Sequence, residues 1–134
     1  MHRPTVYFSQ QFAKIVIPAG RMGVIVNMSS VAGEEGSSDA VYGLSKAALI
    51  GLTKSCAMNF APQIRVNAIA PALVSTNLIQ NVPSSRIEEY RTAELLKDPI
   101  CPEDVANTLA FLFSDQSKHY TGAVFDINNG VYRR

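Results

Sequence analysis

Two short apolar runs separated by one long helix-forming segment constrain the fold of this chain more than any other feature. Residues 23 to 28 read Gly-Val-Ile-Val-Asn-Met, and residues 64 to 70 read Ile-Arg-Val-Asn-Ala-Ile-Ala. Such runs, rich in β-branched residues, are typical of strands that are covered on both faces in a parallel sheet. Between them, residues 40 to 60 are predicted to form a helix with Asp39 as its N-cap. The alternation predicts a right-handed β-α-β crossover.

Further elements on either side extend this alternation. Apolar residues at helical spacing predict three more helices, the second of which is capped by Ser84 or Ser85. One strand follows the last helix. The resulting order α-β-α-β-α-α-β predicts an α/β fold with about three parallel strands and flanking helices. The three helices cover residues 5 to 16, 85 to 96 and 103 to 113, and the last strand covers residues 123 to 127.

Composition and charge narrow the function classes. A chain of 134 residues can bury a core without metal or disulfide cross-links and is expected to form one domain. The net charge of +1 predicts neither a nucleic-acid partner nor a membrane partner. The apolar runs are far shorter than the roughly 18 residues that cross a bilayer. Cys56 and Cys101 lack the partner spacing of a metal site, so we expect no metal and a reduced, cytoplasmic protein.

One pair of side chains has a chemical use. Tyr42 and Lys46 lie four residues apart on the long helix, so both project from the same face. An ammonium near a phenol favours the phenolate, and such a tyrosine can exchange a proton with a carbonyl or alcohol oxygen. Ser30, twelve residues before Tyr42, is placed to bond the same oxygen. Taken alone, the pair is more typical of a half-buried tyrosine beside a solvated lysine.

The surrounding sequence resembles a known family. Residues 23 to 33 read Gly-Val-Ile-Val-Asn-Met-Ser-Ser-Val-Ala-Gly, and residues 42 to 48 read Tyr-Gly-Leu-Ser-Lys-Ala-Ala. Residues 64 to 71 and 120 to 130 add Ile-Arg-Val-Asn-Ala-Ile-Ala-Pro and Tyr-Thr-Gly-Ala-Val-Phe-Asp-Ile-Asn-Asn-Gly. In this order they resemble the second half of short-chain dehydrogenases/reductases. The resemblance implies the C-terminal half of a doubly wound, Rossmann-like parallel sheet, with residues 1 to 134 as a single partial domain.

The resemblance also implies an activity, which is the interconversion of an alcohol and a ketone by an NAD- or NADP-dependent oxidoreductase. Ser30 would polarise the substrate carbonyl, Tyr42 would be the acid/base, and Lys46 would favour the phenolate and hold the nicotinamide ribose. The implied partners are a small-molecule alcohol or ketone and further copies of the chain, in a homodimer or homotetramer. Residues 77 to 97 match the family's substrate lid. The implied cofactor-binding residues are Tyr42, Lys46, Pro71, Ala72, Val74 and Thr76.

Departures from the family's pattern bear on this activity. The glycine-rich phosphate turn Gly-x-x-x-Gly-x-Gly, which binds the cofactor's pyrophosphate, does not occur in these 134 residues. No asparagine precedes Asn27, so the family's fourth catalytic residue has no counterpart. Ala72 stands at a family glycine, which requires a negative φ there. Asn128 and Asn129 stand where glycines are usual, a mild change because asparagine tolerates left-handed backbone.

These departures leave a second function open, a truncated and catalytically silent member that dimerises or binds a partner. An epimerase or dehydratase on the same scaffold is a third. Without a preceding half, the first strand would be an open apolar edge, which favours association. One face of the long helix suits packing across a dimer interface, although an intramolecular core face is an equal interpretation. That face carries Ala48, Gly51, Leu52, Ser55 and Cys56.

Overall fold

The predicted order of helices and strands is confirmed. The structure, a computed structural model, describes residues 3 to 133, without the side chain of Leu78. Short 3-10 turns at Val31–Gly33, Asn77–Asn81 and Asp115–Ser117 lie between the main elements. The main elements are α1 (Arg3–Val16), β1 (Gly23–Met28), α2 (Ala40–Phe60), β2 (Ile64–Pro71), α3 (Ser84–Ala93), α4 (Pro102–Phe113) and β3 (Val124–Ile127).

The strands form one parallel sheet in the order β1-β2-β3. Val66 of β2 pairs with Ile25 of β1, and Ile69 pairs with Phe125 of β3. Seven of the eight β2 residues are buried, as predicted for a strand that is covered on both faces. Among the described strands, β1 has no neighbour on its other side, and four of its six residues are half-buried. The sheet edge at β1 is therefore open within the described chain.

Helices cover both faces of the sheet. On one face, the Asn27 side-chain amide of β1 donates to Thr53 Oγ1 of α2 at 2.9 Å, and both residues are buried. On the other face, the Arg65 guanidinium of β2 donates to the carbonyls of Leu112 and Ser114, which fixes the end of α4. The main apolar cluster lies between the first face and the helices α1 and α2. Its buried members are Ala13, Val16, Cys56, Ala57, Ile64 and Val66.

The bounds and cap of α3 differ from the prediction. Pro83 is the N-cap, no side chain caps the helix, and Ser84 is already its first residue. The helix ends at Ala93 rather than at residue 96, because the N–H groups of Leu95 and Leu96 donate to the Asn129 carbonyl. A bond to a residue more than thirty positions away thus replaces the last helical turn.

The face predicted for dimer contact is divided by the structure. Leu52 and Cys56 pack in or against the apolar cluster, whereas Ala48, Gly51 and Ser55 are exposed. An intramolecular role is therefore correct for the first two residues only. The α2 helix is apolar around most of its circumference, so its periodicity does not tell the inner face from the outer one.

The backbone accommodates the substitutions of the family's glycines. Asn129 adopts φ 50° and Gly130 adopts φ 78°, so the left-handed turn after β3 contains an asparagine. Asn129 is the one non-glycine residue with positive φ within residues 3 to 133, so Ala72 has the negative φ that alanine requires. Both substitutions are compatible with the fold.

Candidate active site

A groove at the carboxyl ends of β1 and β2 holds the predicted site. In parallel sheets, ligands bind outside these strand ends. The groove has a volume of about 480 Å³. Its polar wall includes Ser30, Tyr42 and Lys46, and its floor follows the end of β2. All the residues predicted for catalysis and cofactor binding line it, namely Ser30, Tyr42, Lys46, Pro71, Ala72, Val74 and Thr76.

The first turns of α2 position Tyr42 and Lys46. Asp39 caps the helix as predicted, because its Oδ1 accepts from the N–H groups of Val41 and Tyr42 at 3.0 Å each. The Lys46 Nζ atom lies 5.6 Å from the centre of the Tyr42 ring. It also donates to the Met28 carbonyl at 3.1 Å, which ties it to the end of β1. The ammonium therefore stands beside the phenol, and Tyr42 is 44% exposed.

The two serines after β1 are held differently. Ser30 Oγ accepts from the Ala32 N–H at 3.2 Å and caps the turn Val31–Gly33, so its hydroxyl proton can point into the groove. Ser29 Oγ instead donates to the Lys46 carbonyl at 2.8 Å. Ser29 is thus engaged in joining β1 to α2, and Ser30 is the serine whose hydroxyl has a proton to offer.

The loop after β2 forms a largely apolar floor. The Ala72 N–H donates to the Ile127 carbonyl, and the Ser75 N–H donates to the Ile100 carbonyl. The Val74 carbonyl accepts from the Thr76 N–H at 2.8 Å, whereas no acceptor for the Val74 N–H is found among the described residues. An apolar surface with one backbone donor suits a planar heterocycle that carries an amide.

The groove also includes residues that sequence reasoning missed. Met28 and Leu73 adjoin predicted residues, so proximity along the chain could have found them. Pro102 and Val105 come from the start of α4, and only the tertiary fold brings them to the groove. Of the residues in the predicted lid, Ile79 and Val82 line the groove. Others do not: Ile87 and Tyr90 lie elsewhere, and Leu95 is 62% exposed.

Asn67 and Cys56 lie outside the groove and have structural roles. The Asn67 side chain donates to the Tyr120 carbonyl at 2.8 Å and accepts from the Ala123 N–H at 3.1 Å, which agrees with the structural role expected of it. Burial raises the pKa of the Cys56 thiol, which favours an unreactive thiol. Within residues 3 to 133 there is no cluster of metal-ligating side chains, and no helix is long and apolar enough to cross a membrane.

Comparisons with known proteins identify the family of this chain. A family model described as enoyl-(acyl carrier protein) reductase matches residues 3 to 132. The chain belongs to the short-chain dehydrogenase/reductase family. It is 40% identical over 117 residues to the 3-oxoacyl-[acyl-carrier-protein] reductase FabG of Rickettsia felis, covering 83% of this chain and 47% of that protein. It is 34% identical over 131 residues to a (3R)-3-hydroxyacyl-CoA dehydrogenase of Rattus norvegicus, covering 96% and 50%.

Solved structures of the family share the fold. A short-chain dehydrogenase/reductase from Mycobacterium ulcerans matches with a TM-score of 0.88 at 29% identity, over 95% of this chain and 47% of that one. A 4-hydroxyisoleucine dehydrogenase complexed with NADH matches with a TM-score of 0.87 at 33% identity, over 95% and 54%. The chain thus spans about half the length of the curated relatives it matches. Its fold is the C-terminal half of their doubly wound sheet.

Proposed function

We propose that the chain is the active-site half of a Rossmann-like domain in an NAD(P)-dependent oxidoreductase that interconverts an alcohol and a ketone. The observation that carries the proposal is the convergence of a loop serine, a helical tyrosine and a helical lysine on one groove. The two curated relatives named above are a 3-oxoacyl reductase and a 3-hydroxyacyl dehydrogenase, which supports this reaction class.

Each polar group of the groove has a task in the reduction. The Tyr42 hydroxyl gives its proton to the substrate oxygen as the carbonyl becomes an alcohol, and the reverse reaction returns it. The Ser30 hydroxyl donates a hydrogen bond to the same oxygen and stabilises the charge that develops there. The Lys46 ammonium, beside the ring, stabilises the phenolate that Tyr42 becomes. The nicotinamide cofactor supplies the hydride chemistry when bound.

The residues of the groove fit the nicotinamide half of that cofactor. Pro71, Ala72 and Val74 offer an apolar surface for the ring, and the Val74 N–H offers a donor for the carboxamide. Thr76 and Lys46 offer polar groups for the carboxamide or pyrophosphate and for the ribose. The adenosine half needs a glycine-rich turn that these residues do not contain, and the choice between NAD and NADP depends on that part. Structures of relatives are described as bound to NADH, NAD or NADP.

We also propose that the protein forms a homodimer or homotetramer through the outer face of α2. Val41, Leu44 and Met58 are 55%, 69% and 83% exposed on this helix. They lie at helical spacing with the small residues Ala48 and Gly51, which would allow two helices to approach closely. We propose a cytoplasmic location for the protein, with which the free thiols of Cys56 and Cys101 agree.

One observation favours the second function, a binding module without catalytic activity. The β1 edge is open within the described residues and its apolar side chains are only half-buried. An unpaired strand of this kind can pair with another chain. Turnover separates the two functions, because a binding module would associate with a partner but would not consume a cofactor.

The test is cofactor-dependent turnover by the whole polypeptide, purified from the cells that naturally express it. We would supply NADH or NADPH with a short 3-oxoacyl thioester or a simple ketone, and follow cofactor oxidation together with the hydroxy product. The proposal predicts equal amounts of oxidised cofactor and alcohol, both lost in Ser30→Ala and Lys46→Met. Conversion of a 3-hydroxyacyl thioester into its epimer or its dehydrated product, with no net change in the cofactor, would indicate an epimerase or dehydratase. Absence of both cofactor binding and turnover would support the binding module.

A further inference from the structure

Helix α3 lies on the protein with little apolar packing. None of its ten residues is buried. Ile79 lies in the turn that precedes α3, and Val82 follows that turn. The side chains of both residues line the groove. Contacts other than core packing must therefore hold α3, Ile79 and Val82 in place beside the groove.

Two side-chain bonds join α3 to the loop after Ser30. The Arg86 guanidinium donates to Ser38 Oγ at 2.6 Å, and the Tyr90 hydroxyl donates to Glu35 Oε1 at 3.4 Å. The four residues face a separate polar cleft of about 350 Å³. Both acceptors belong to the loop that leads from Ser30 to the start of α2. These bonds therefore connect α3, from outside the groove, to the segment that joins the proposed catalytic residues Ser30 and Tyr42.

The far end of α3 is fixed independently. The N–H groups of Leu95 and Leu96 donate to the Asn129 carbonyl at 2.8 and 3.2 Å, and Asn129 Nδ2 donates to the Asp98 carbonyl at 2.7 Å. Within residues 3 to 133, the side-chain hydrogen bonds found between the body of the helix and other elements are those of Arg86 and Tyr90. Burial and the neighbouring Glu35 carboxylate raise the pKa of Tyr90, so its hydroxyl keeps the proton that it donates.

We propose that Arg86 and Tyr90 are positioning residues, which hold Ile79 and Val82 at the groove by bonding the loop between Ser30 and Tyr42. Neither residue lines the groove. They act through Ile79 and Val82, whose contact with substrate rests on the proposed function. Loss of their bonds frees residues 77 to 93 to move about the anchor at Asn129, while the sheet and α2 keep their packing.

The test is hydrogen exchange of the whole chain in the absence of substrate and cofactor. The variant Arg86→Met/Tyr90→Phe removes both donors and keeps both side chains similar in size. Each bond is expected to slow local opening about 3- to 10-fold, so exchange of residues 77 to 93 rises by about 10-fold or more in the double variant. Controls are Arg91→Met, on the same helix and with no side-chain hydrogen bond to the described residues, and Tyr120→Phe.

The result that supports the proposal is faster exchange confined to residues 77 to 93 in the double variant and in neither control. Unchanged exchange there, or an equal rise throughout α2 and the sheet, would overturn it. This measurement needs no turnover, so its failure is distinct from failure of the proposed function. In an active enzyme, the double variant should also raise KM about 5-fold with kcat nearly unchanged, as expected for lost binding rather than lost chemistry.

Discussion

Gly33 lies at a close approach between the loop after Ser30 and helix α2. A Cβ at this position would lie 2.6 Å from the Lys46 carbonyl carbon, 2.8 Å from the Ala47 nitrogen and 2.9 Å from the Lys46 oxygen. These are helix backbone atoms and cannot rotate away. Gly33→Ala must therefore push the loop and the helix apart, and the Ser29 bond to the Lys46 carbonyl spans the same contact.

The expected loss of stability is the sum of an overpacking cost and the loss of one hydrogen bond. Overpacking against a rigid neighbour costs about 1–3 kcal/mol, and one hydrogen bond contributes about 1 kcal/mol. The free energy of unfolding of Gly33→Ala should therefore fall by about 2–4 kcal/mol. Gly51→Ala is the matched control at protein concentrations low enough to keep the chain monomeric, because a Cβ at Gly51 meets no atom of the described chain within 4 Å. In the middle of α2, that change should raise the free energy of unfolding by about 1 kcal/mol.

Urea unfolding followed by circular dichroism measures both variants in the same buffer. The expected midpoints fall in the order Gly33→Ala, wild type, Gly51→Ala. A Gly33→Ala protein as stable as the wild type would refute the close contact between loop and helix. If Gly51→Ala were destabilised as strongly as Gly33→Ala, an added methyl group in general, and not the close contact at Gly33, would be the cause.

Three further perturbations test other parts of the fold. Thr53→Val leaves the buried Asn27 amide without its acceptor and should lower the free energy of unfolding by about 1–3 kcal/mol, whereas Thr53→Ser keeps the hydroxyl; urea unfolding compares them. Asp39→Ala removes the cap of α2 and should cost about 1 kcal/mol in the same assay, and a loss as large in Asp39→Asn would contradict the capping role. At mildly alkaline pH, a disulfide reagent should modify exposed Cys101 first, because burial raises the pKa of Cys56 and lowers its thiolate fraction; two equally fast thiols would contradict this.

The elements of this fold could be predicted because their signals are local. The apolar runs of β1 and β2 and the Asp39 cap are each written in a few adjacent residues. The end of α3 depends instead on the Asn129 carbonyl, which no local pattern contains. The inner face of α2 was undetermined for a related reason, since Cys56 and the exposed Met58 are both apolar.

The site was predictable to a similar extent. Tyr42 and Lys46 share a helix face by spacing alone, and the resemblance to the family added Ser30 and the loop after β2. No local pattern predicted Val105 as a groove residue, because only the tertiary fold brings α4 to the groove. The bond between Arg86 and Ser38 joins residues 48 positions apart and was likewise not predictable.

The measurement that tests the proposed chemistry most directly compares two tyrosines of equal exposure. Tyr42 and Tyr120 are 44% and 43% exposed, and the Tyr120 ring packs against Phe111 and Phe125 away from the groove. Each is changed to phenylalanine in the polypeptide that shows turnover, which removes one hydroxyl and keeps the ring. Tyr42→Phe should lower kcat about 10²- to 10⁴-fold, and Tyr120→Phe should leave it within about twofold. Near-normal turnover by Tyr42→Phe would contradict the acid/base role on which the account depends.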